Sequence, residues 1–208
     1  MTMKKTAVIL SLLIAISTLQ TFAEDNSQKI IDKVVSTYKA VKGLSAHYAI
    51  TTDQGVTEGT IIMQGDKFRM ISNDLRCWYD GKILWSYSPM SGEVNITEPS
   101  AEELQMINPY SIISSFRNAF TTRQVKSSTA SNHEVELLPK VNNTDIKSVR
   151  LTISRKTYLP VKIVFALADG TSIIIILSQT KGGANYPATT FMFEKSLVPA
   201  GTPVIDLR

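Results

Sequence analysis

Reactive and metal-ligating residues are scarce in this chain: its 208 residues include one cysteine, Cys77, and two histidines, His47 and His133. A lone cysteine excludes an intramolecular disulfide, so the core must hold the fold unaided. Cys77 sits among Leu75, Trp78 and Tyr79 and reads as a small buried apolar side chain, not a reactive thiol. Both histidines lie in stretches read as strands, and neither has Cys, Asp or Glu at metal-ligand spacing. The sequence has no Gly-x-Ser-x-Gly elbow, no phosphate-binding glycine loop and no His-Glu-x-x-His. Its adjacent carboxylates, Glu102 and Glu103, stand at a helix start, where the helix dipole accommodates negative charge. Catalytic residues, a metal and a cofactor are therefore not expected. Charge is also sparse. The formal net charge is +4, and two of those four charges, Lys4 and Lys5, lie at the extreme N-terminus. That leaves no electrostatic footprint for nucleic acid.

The N-terminus has the three-part layout of a secretory signal peptide. Lys4 and Lys5 precede an apolar stretch over residues 7–16, a polar stretch over residues 17–22, and Ala23 ahead of Glu24 and Asp25. The apolar stretch is shorter than the roughly 20 residues a spanning helix needs. Residues 1–23 are expected to be removed on export, leaving residues 24–208 as one soluble domain. No cysteine lies near the cleavage site to anchor the product to a lipid.

Periodicity organises the rest. Ile30, Ile31, Val34, Val35, Tyr38 and Val41 recur at helical spacing, with Asp25, Asn26 or Ser27 to cap the start and Gly43 to end the helix. Strands are predicted at residues 44–50, 57–64, 67–71, 75–79, 83–87 and 93–96, with turns at Gly65-Asp66 and Asp80-Gly81. Ser100 and Glu103 have capping-box spacing and open a short helix, and Asn108-Pro109 restarts a second one carrying Ile112, Ile113, Phe116, Ala119 and Phe120. Residues 121–132 are polar and read as a loop. Strands resume at residues 133–138, 146–155, 161–167, 171–178 and 189–194, with a turn at Asp169-Gly170 and an extended tail. Ile173 to Leu177 is apolar on both faces and is suited to a strand-edge contact. The expected fold is mainly β with helices (α+β): one curved antiparallel sheet of roughly ten strands, an incomplete β-barrel, its concave face covered by a helical lid. Tyr48, Met63, Phe68, Met70, Trp85, Ile112, Ile113, Phe116 and Phe120 supply the apolar surface between sheet and helices, either as plain core or as the lining of a cavity.

The stretch Asp80-Gly81-Lys82-Ile83-Leu84-Trp85-Ser86-Tyr87-Ser88-Pro89 resembles the signature hairpin of the periplasmic outer-membrane lipoprotein carrier (LolA) family. Tyr158-Leu159-Pro160, the Asp169-Gly170 turn and Phe191-x-Phe193 before the proline-rich tail are similar to that family's C-terminal half. The resemblance spans nearly all of residues 24–208 and implies a LolA-like barrel closed by a helical lid. It also implies a periplasmic chaperone that holds the acyl chains of lipoproteins in a hydrophobic cavity lined by the nine residues above. Such a carrier takes cargo from an inner-membrane ABC-type exporter and delivers it to an outer-membrane receptor, touching membranes only peripherally. An alternative within the same fold is a lipid- or protein-binding sensor without carrier activity. One departure stands out: where the family carries an arginine that latches the lid, this chain has Gly65 and Asp66, and Arg69 is shifted in register.

Overall fold

The computed structural model describes residues 26–100, 103–104, 119–127, 129–141 and 145–208. Helix α1 (Ser27–Ala40) leads into a meander of β1 (Leu44–Thr52), β2 (Gly55–Gln64), β3 (Lys67–Ser72), β4 (Arg76–Tyr79), β5 (Leu84–Ser88) and β6 (Glu93–Thr97). A second meander follows: β7 (Phe120–Val125), β8 (Asn132–Pro139), β9 (Ile146–Ser154), β10 (Pro160–Leu167) and β11 (Ser172–Gly182). Two 3-10 turns, Ala188–Phe191 and Lys195–Leu197, precede β12 (Val204–Asp206). The strands form one open sheet in the order β12-β6-β5-β4-β3-β2-β1-β11-β10-β9-β8-β7. Each meander is local. The two are joined where β11 zips antiparallel onto β1, pairing Tyr48 with Leu177 and Ile50 with Ile175.

Alternation sets the two faces. Ile61, Met63, Phe68, Met70, Cys77, Tyr79 and Leu84 point to the same side as Leu137, Leu151, Ile163 and Leu177, and all are buried in one cluster with Ile30, Ile31 and Val34 of α1. Each such side chain contributes roughly 1.5–3 kcal/mol through burial. Helix α1 therefore lies on the concave face. With 14 residues it is about 21 Å long. At its start the Ser27 hydroxyl meets Thr122 Oγ1 on edge strand β7 at 2.7 Å. Near its end the Tyr38 hydroxyl donates to the Gly65 carbonyl in the β2–β3 turn at 3.0 Å. The helix thus ties the two halves of the open sheet together. Among the described residues, no helix is long and apolar enough to cross a membrane.

Among the described residues, a second apolar cluster covers the convex face over β3–β6. Trp78, Tyr87, Val94 and Val198 form a second buried cluster, joined by Ile71, Trp85, Phe193 and Leu197. The C-terminal segment supplies the cover: Phe193 packs on Trp78 with ring centroids 5.6 Å apart, and β12 then pairs parallel to β6. Gln64 fixes the start of this strap, accepting from Tyr186 N at 2.8 Å and donating to Tyr186 O at 3.2 Å.

Several sequence expectations are corrected. The sheet has twelve strands among the described residues. Residues 121–125, read as loop, belong to β7, because Phe120 is buried and pulls the following residues into the ladder with β8. Residues 189–194, read as a strand, are a 3-10 turn and extended chain, since they cross the sheet instead of joining its ladder. Ile173 to Leu177 is not at an edge: β11 is paired on both sides. Gly43 does not stop the helix, which ends at Ala40 with Val41 as its cap. Gly43 allows close approach instead, because a Cβ there would lie 2.5 Å from the Ala184 carbonyl oxygen. The hairpin at Asp80 centres on Gly81-Lys82, with Asp80 N donating to Ile83 O at 3.2 Å and Gly81 at φ +103. Asp80 is displaced to the flank, where its carboxylate accepts from Lys82 N and Ile83 N at 2.9 and 2.8 Å.

Candidate functional site: the concave face

Five of the nine residues named from the sequence converge. Tyr48, Met63, Phe68, Met70 and Phe120 are all buried in the concave cluster. Phe68 is 0 % exposed, and its ring packs on Tyr79 at 5.2 Å. Phe120 gets there from β7, not from a helix. Trp85 is on the other side: it pairs with Trp78 across β4–β5 and joins the convex cluster beneath the C-terminal strap. The reason is parity, since Leu84, its neighbour in sequence, faces inward. Ile112, Ile113 and Phe116 lie outside the described residues, as does the helix restart at Asn108-Pro109 and the segment read as a signal peptide.

The wall also includes residues the sequence reading left aside. Val149, Leu151 and Ile153 of β9, with Ile163 and Phe165 of β10, complete it. Their strict alternation carried the signal, but alternation alone does not tell which face of a sheet is concave.

Tyr48 shows how tightly one part of this wall is built. It lies opposite Gly59, which lies opposite Ser72. A Cβ on Gly59 would fall 2.2 Å from the Ile71 carbonyl oxygen and 2.6 Å from the Tyr48 hydroxyl oxygen. The tyrosine ring thus occupies the space a side chain would take. Burial raises the Tyr48 hydroxyl pKa, and a hydrogen bond from Ser72 partly offsets this. Burial also raises Tyr79 and pushes the Cys77 thiol up to about 12. All three are neutral at physiological pH, and the one buried carboxylate among the described residues, Glu136, lies between inward-facing Val135 and Leu137 and so faces the other side. The wall is apolar, and among the described residues burial alone sets the state of the thiol. Among the described residues, no group of three or more His, Cys, Asp or Glu could hold a metal ion.

The segment between β6 and β7 leaves and returns on this face. Its described ends, Leu104 and Ala119, both pack against the concave cluster. The capping box expected there is present. Ser100 N donates to Glu103 Oε2 at 2.7 Å, and Glu103 N to Ser100 Oγ at 3.2 Å. The backbone bond from Ser100 is the main cause that lowers the Glu103 pKa. Beside this box, Leu84, Thr97, Glu98, Pro99, Glu103, Leu207 and Arg208 line an open cavity of about 780 Å³. Leu84 is common to this cavity and the buried cluster.

Arg69 pairs with Ile62 and Trp78 and points to the convex side, between inward-facing Phe68 and Met70. At Gly65 the turn is instead held by the Tyr38 hydroxyl of α1. Burial, with a smaller effect from Asp66, raises the Tyr38 pKa to about 12, so that donor is not lost in the physiological range.

An open, curved sheet, antiparallel but for β12, with a helix across its concave face defines a class of folds, and comparison with known proteins specifies the family. The family model described as outer membrane lipoprotein carrier protein LolA matches residues 16–169, and the chain belongs to that family. Among solved structures, an uncharacterized conserved protein from Thermus thermophilus is similar, with a TM-score of 0.59 and 12 % identity over 86 % of this chain and 98 % of that one. An outer membrane lipoprotein-sorting protein domain from Vibrio parahaemolyticus matches with a TM-score of 0.48 and 10 % identity, over 80 % of this chain and 96 % of that one. A chain of the Pseudomonas aeruginosa MucA/MucB complex matches with a TM-score of 0.47 and 11 % identity, over 80 % of this chain and 60 % of that one. No curated protein matches the chain.

Proposed function

We propose that this protein is a non-enzymatic periplasmic carrier that holds the acyl chains of lipoproteins against its concave face. It would receive them from an inner-membrane ABC-type exporter and pass them to an outer-membrane receptor. The observation that carries this reading is the placement of Leu104 and Ala119 on the uncharged concave cluster. Leu104 and Ala119 make apolar contacts there that an acyl chain lying on this face would replace with its own.

The energetics favour such an exchange. Burial is worth about 0.8 kcal/mol per CH₂, so two chains of roughly 15 CH₂ each represent on the order of 24 kcal/mol. A site that captured all of this would never release its cargo. A carrier that must first open its own apolar contacts subtracts that cost from its affinity. The test is native mass spectrometry with lipid extraction on the protein purified from the periplasm. Co-purified acylated peptide or lipoprotein supports the carrier. A protein that arrives empty and takes up no fluorescent fatty acid supports the alternative, a protein-binding module of the same fold.

A further inference from the structure

A second pocket opens on the same face, at the far end of the sheet from Leu84. It holds about 380 Å³ beneath the first turns of α1, lined by Asn26, Lys29, Ile30, Lys33, Gln124, His133, Arg155 and Tyr158. No carboxylate is among these residues, and four of them are basic or titrate to a cation. Tyr158 organises the pocket. The Lys33 ammonium sits 5.9 Å from the centre of its ring, and the His133 ring packs on it at 5.6 Å. Arg155, in the β9–β10 turn, donates through Nε to the Asn132 carbonyl at 3.0 Å, which fixes the plane of its guanidinium.

The backbone adds charge of the same sign. α1 has no acidic residue in its first turn and no side-chain cap from Asn26, so among the described residues no carboxylate neutralises the positive dipole end that faces the pocket. His133 Nδ1 is buried with no hydrogen-bond partner among the described residues, and such atoms are normally satisfied. An anion in this pocket would meet the Lys33 ammonium and the Arg155 guanidinium together. Its chemistry fits phosphate. A guanidinium fork, an ammonium and an imidazole lining one pocket suit a group with several acceptor oxygens and a full negative charge shared among them. A single carboxylate would leave part of them unmatched.

Ile30 says which phosphate. It lines this pocket and is also buried in the concave apolar cluster, so the basic pocket and the apolar wall share a side chain. An amphiphile can place its head among the basic groups and its tail beyond Ile30. We propose that the pocket under α1 binds the phosphate of an anionic phospholipid headgroup. This deepens the acyl-binding reading and rests on it for the tail, while the headgroup contacts stand on the pocket alone.

The test is co-sedimentation of the purified protein with vesicles of phosphatidylcholine, with and without roughly 30 % phosphatidylglycerol, compared for Lys33→Ala, Arg155→Ala, the double variant and the control Lys156→Ala. Lys33, Arg155 and Lys156 are all exposed, so near-UV circular dichroism should confirm an unchanged fold. Each pocket substitution is expected to weaken binding to the anionic vesicles about fivefold, and the double about 25-fold. Lys156→Ala, next to the pocket and outside it, should leave binding unchanged. Inorganic phosphate should shift the amide resonances of Arg155 and Tyr158 and compete with the vesicles. Saturable phosphate binding with equal partition to both vesicle types would assign the pocket to free phosphate and overturn the lipid source. Wild-type binding in the double variant would overturn the site. Uptake of an uncharged fatty-acid amide is measured separately. Its failure would sink the acyl reading and leave the phosphate result standing.

Discussion

Truncating Phe68 to alanine is the most informative single change in the concave wall. The ring is fully buried, stacks on Tyr79 at 5.2 Å, and is flanked across β2 by Met63, which is 1 % exposed. Removing a ring from such a site costs about 3–5 kcal/mol, part lost transfer energy and part cavity. Domains of this kind have about 5–15 kcal/mol of stability in total, so the variant should fold but unfold early. With a urea slope of about 2 kcal/mol/M, the midpoint should fall by about 1.5–2.5 M at unchanged slope. The companion variant is Trp85→Ala. Trp85 is only partly buried and faces the convex strap, so its loss should cost less, roughly 1–3 kcal/mol, in line with ordinary substitutions. Fluorescent fatty-acid uptake is then compared at a temperature where both variants are folded. Phe68→Ala should change the uptake affinity, and Trp85→Ala should leave it as it is. A shift below about 0.5 M for Phe68→Ala would refute the packing argument. Altered uptake in Trp85→Ala alone would refute the assignment of faces.

Three further outcomes follow from the same geometry. Cys77, buried and with its pKa pushed up to about 12, should resist alkylation at mildly alkaline pH in the native protein and react at once in urea; rapid native labelling would contradict its position. Gly59→Ala should cost about 1–3 kcal/mol by overpacking, because the new methyl would meet the Ile71 carbonyl and the Tyr48 hydroxyl; an unchanged thermal midpoint would show that the Tyr48 ring does not occupy that space. His133 has its pKa lowered from 6.5 by burial and by Arg155, so the unfolded chain binds its proton more readily than the folded one. Stability should therefore decline as pH falls from 6.5 towards the folded pKa, and in His133→Gln that decline should be shallower. An NMR titration placing the imidazole above 6.5 would reverse the sign.

Much of the architecture is legible in the residues because alternation and turn chemistry agree. The β2–β3 turn at Gly65-Asp66, the capping box at Ser100 and the apolar stripe of α1 are all local patterns, and all are present. What failed was non-local. Leu84-Trp85 is apolar at both positions, so the sequence does not say which side chain faces inward. The answer came from the C-terminal strap, which makes the convex face apolar too and gives Trp85 a place to pack. The strap itself reads as a strand in the sequence, because Phe191 and Phe193 alternate as strand residues do, with Phe191 fully buried. Residues 121–125 look like a loop because β7 is an edge strand with one buried side chain, Phe120. The basic pocket was invisible for a related reason. Lys33, His133 and Arg155 are isolated in sequence, and only the docking of α1 at the end of β8 and the β9–β10 turn brings them together.

The central claim is that acyl chains lie on the concave face, and photo-cross-linking tests it most directly. A fatty acid carrying a photoactivatable group along its chain is bound to the purified protein, irradiated, and its adducts are mapped by peptide mass spectrometry. The account predicts adducts on inward-facing residues such as Met63, Met70 and Leu84. Adducts confined to convex residues such as Ile176, Val56 or Trp85 would contradict it.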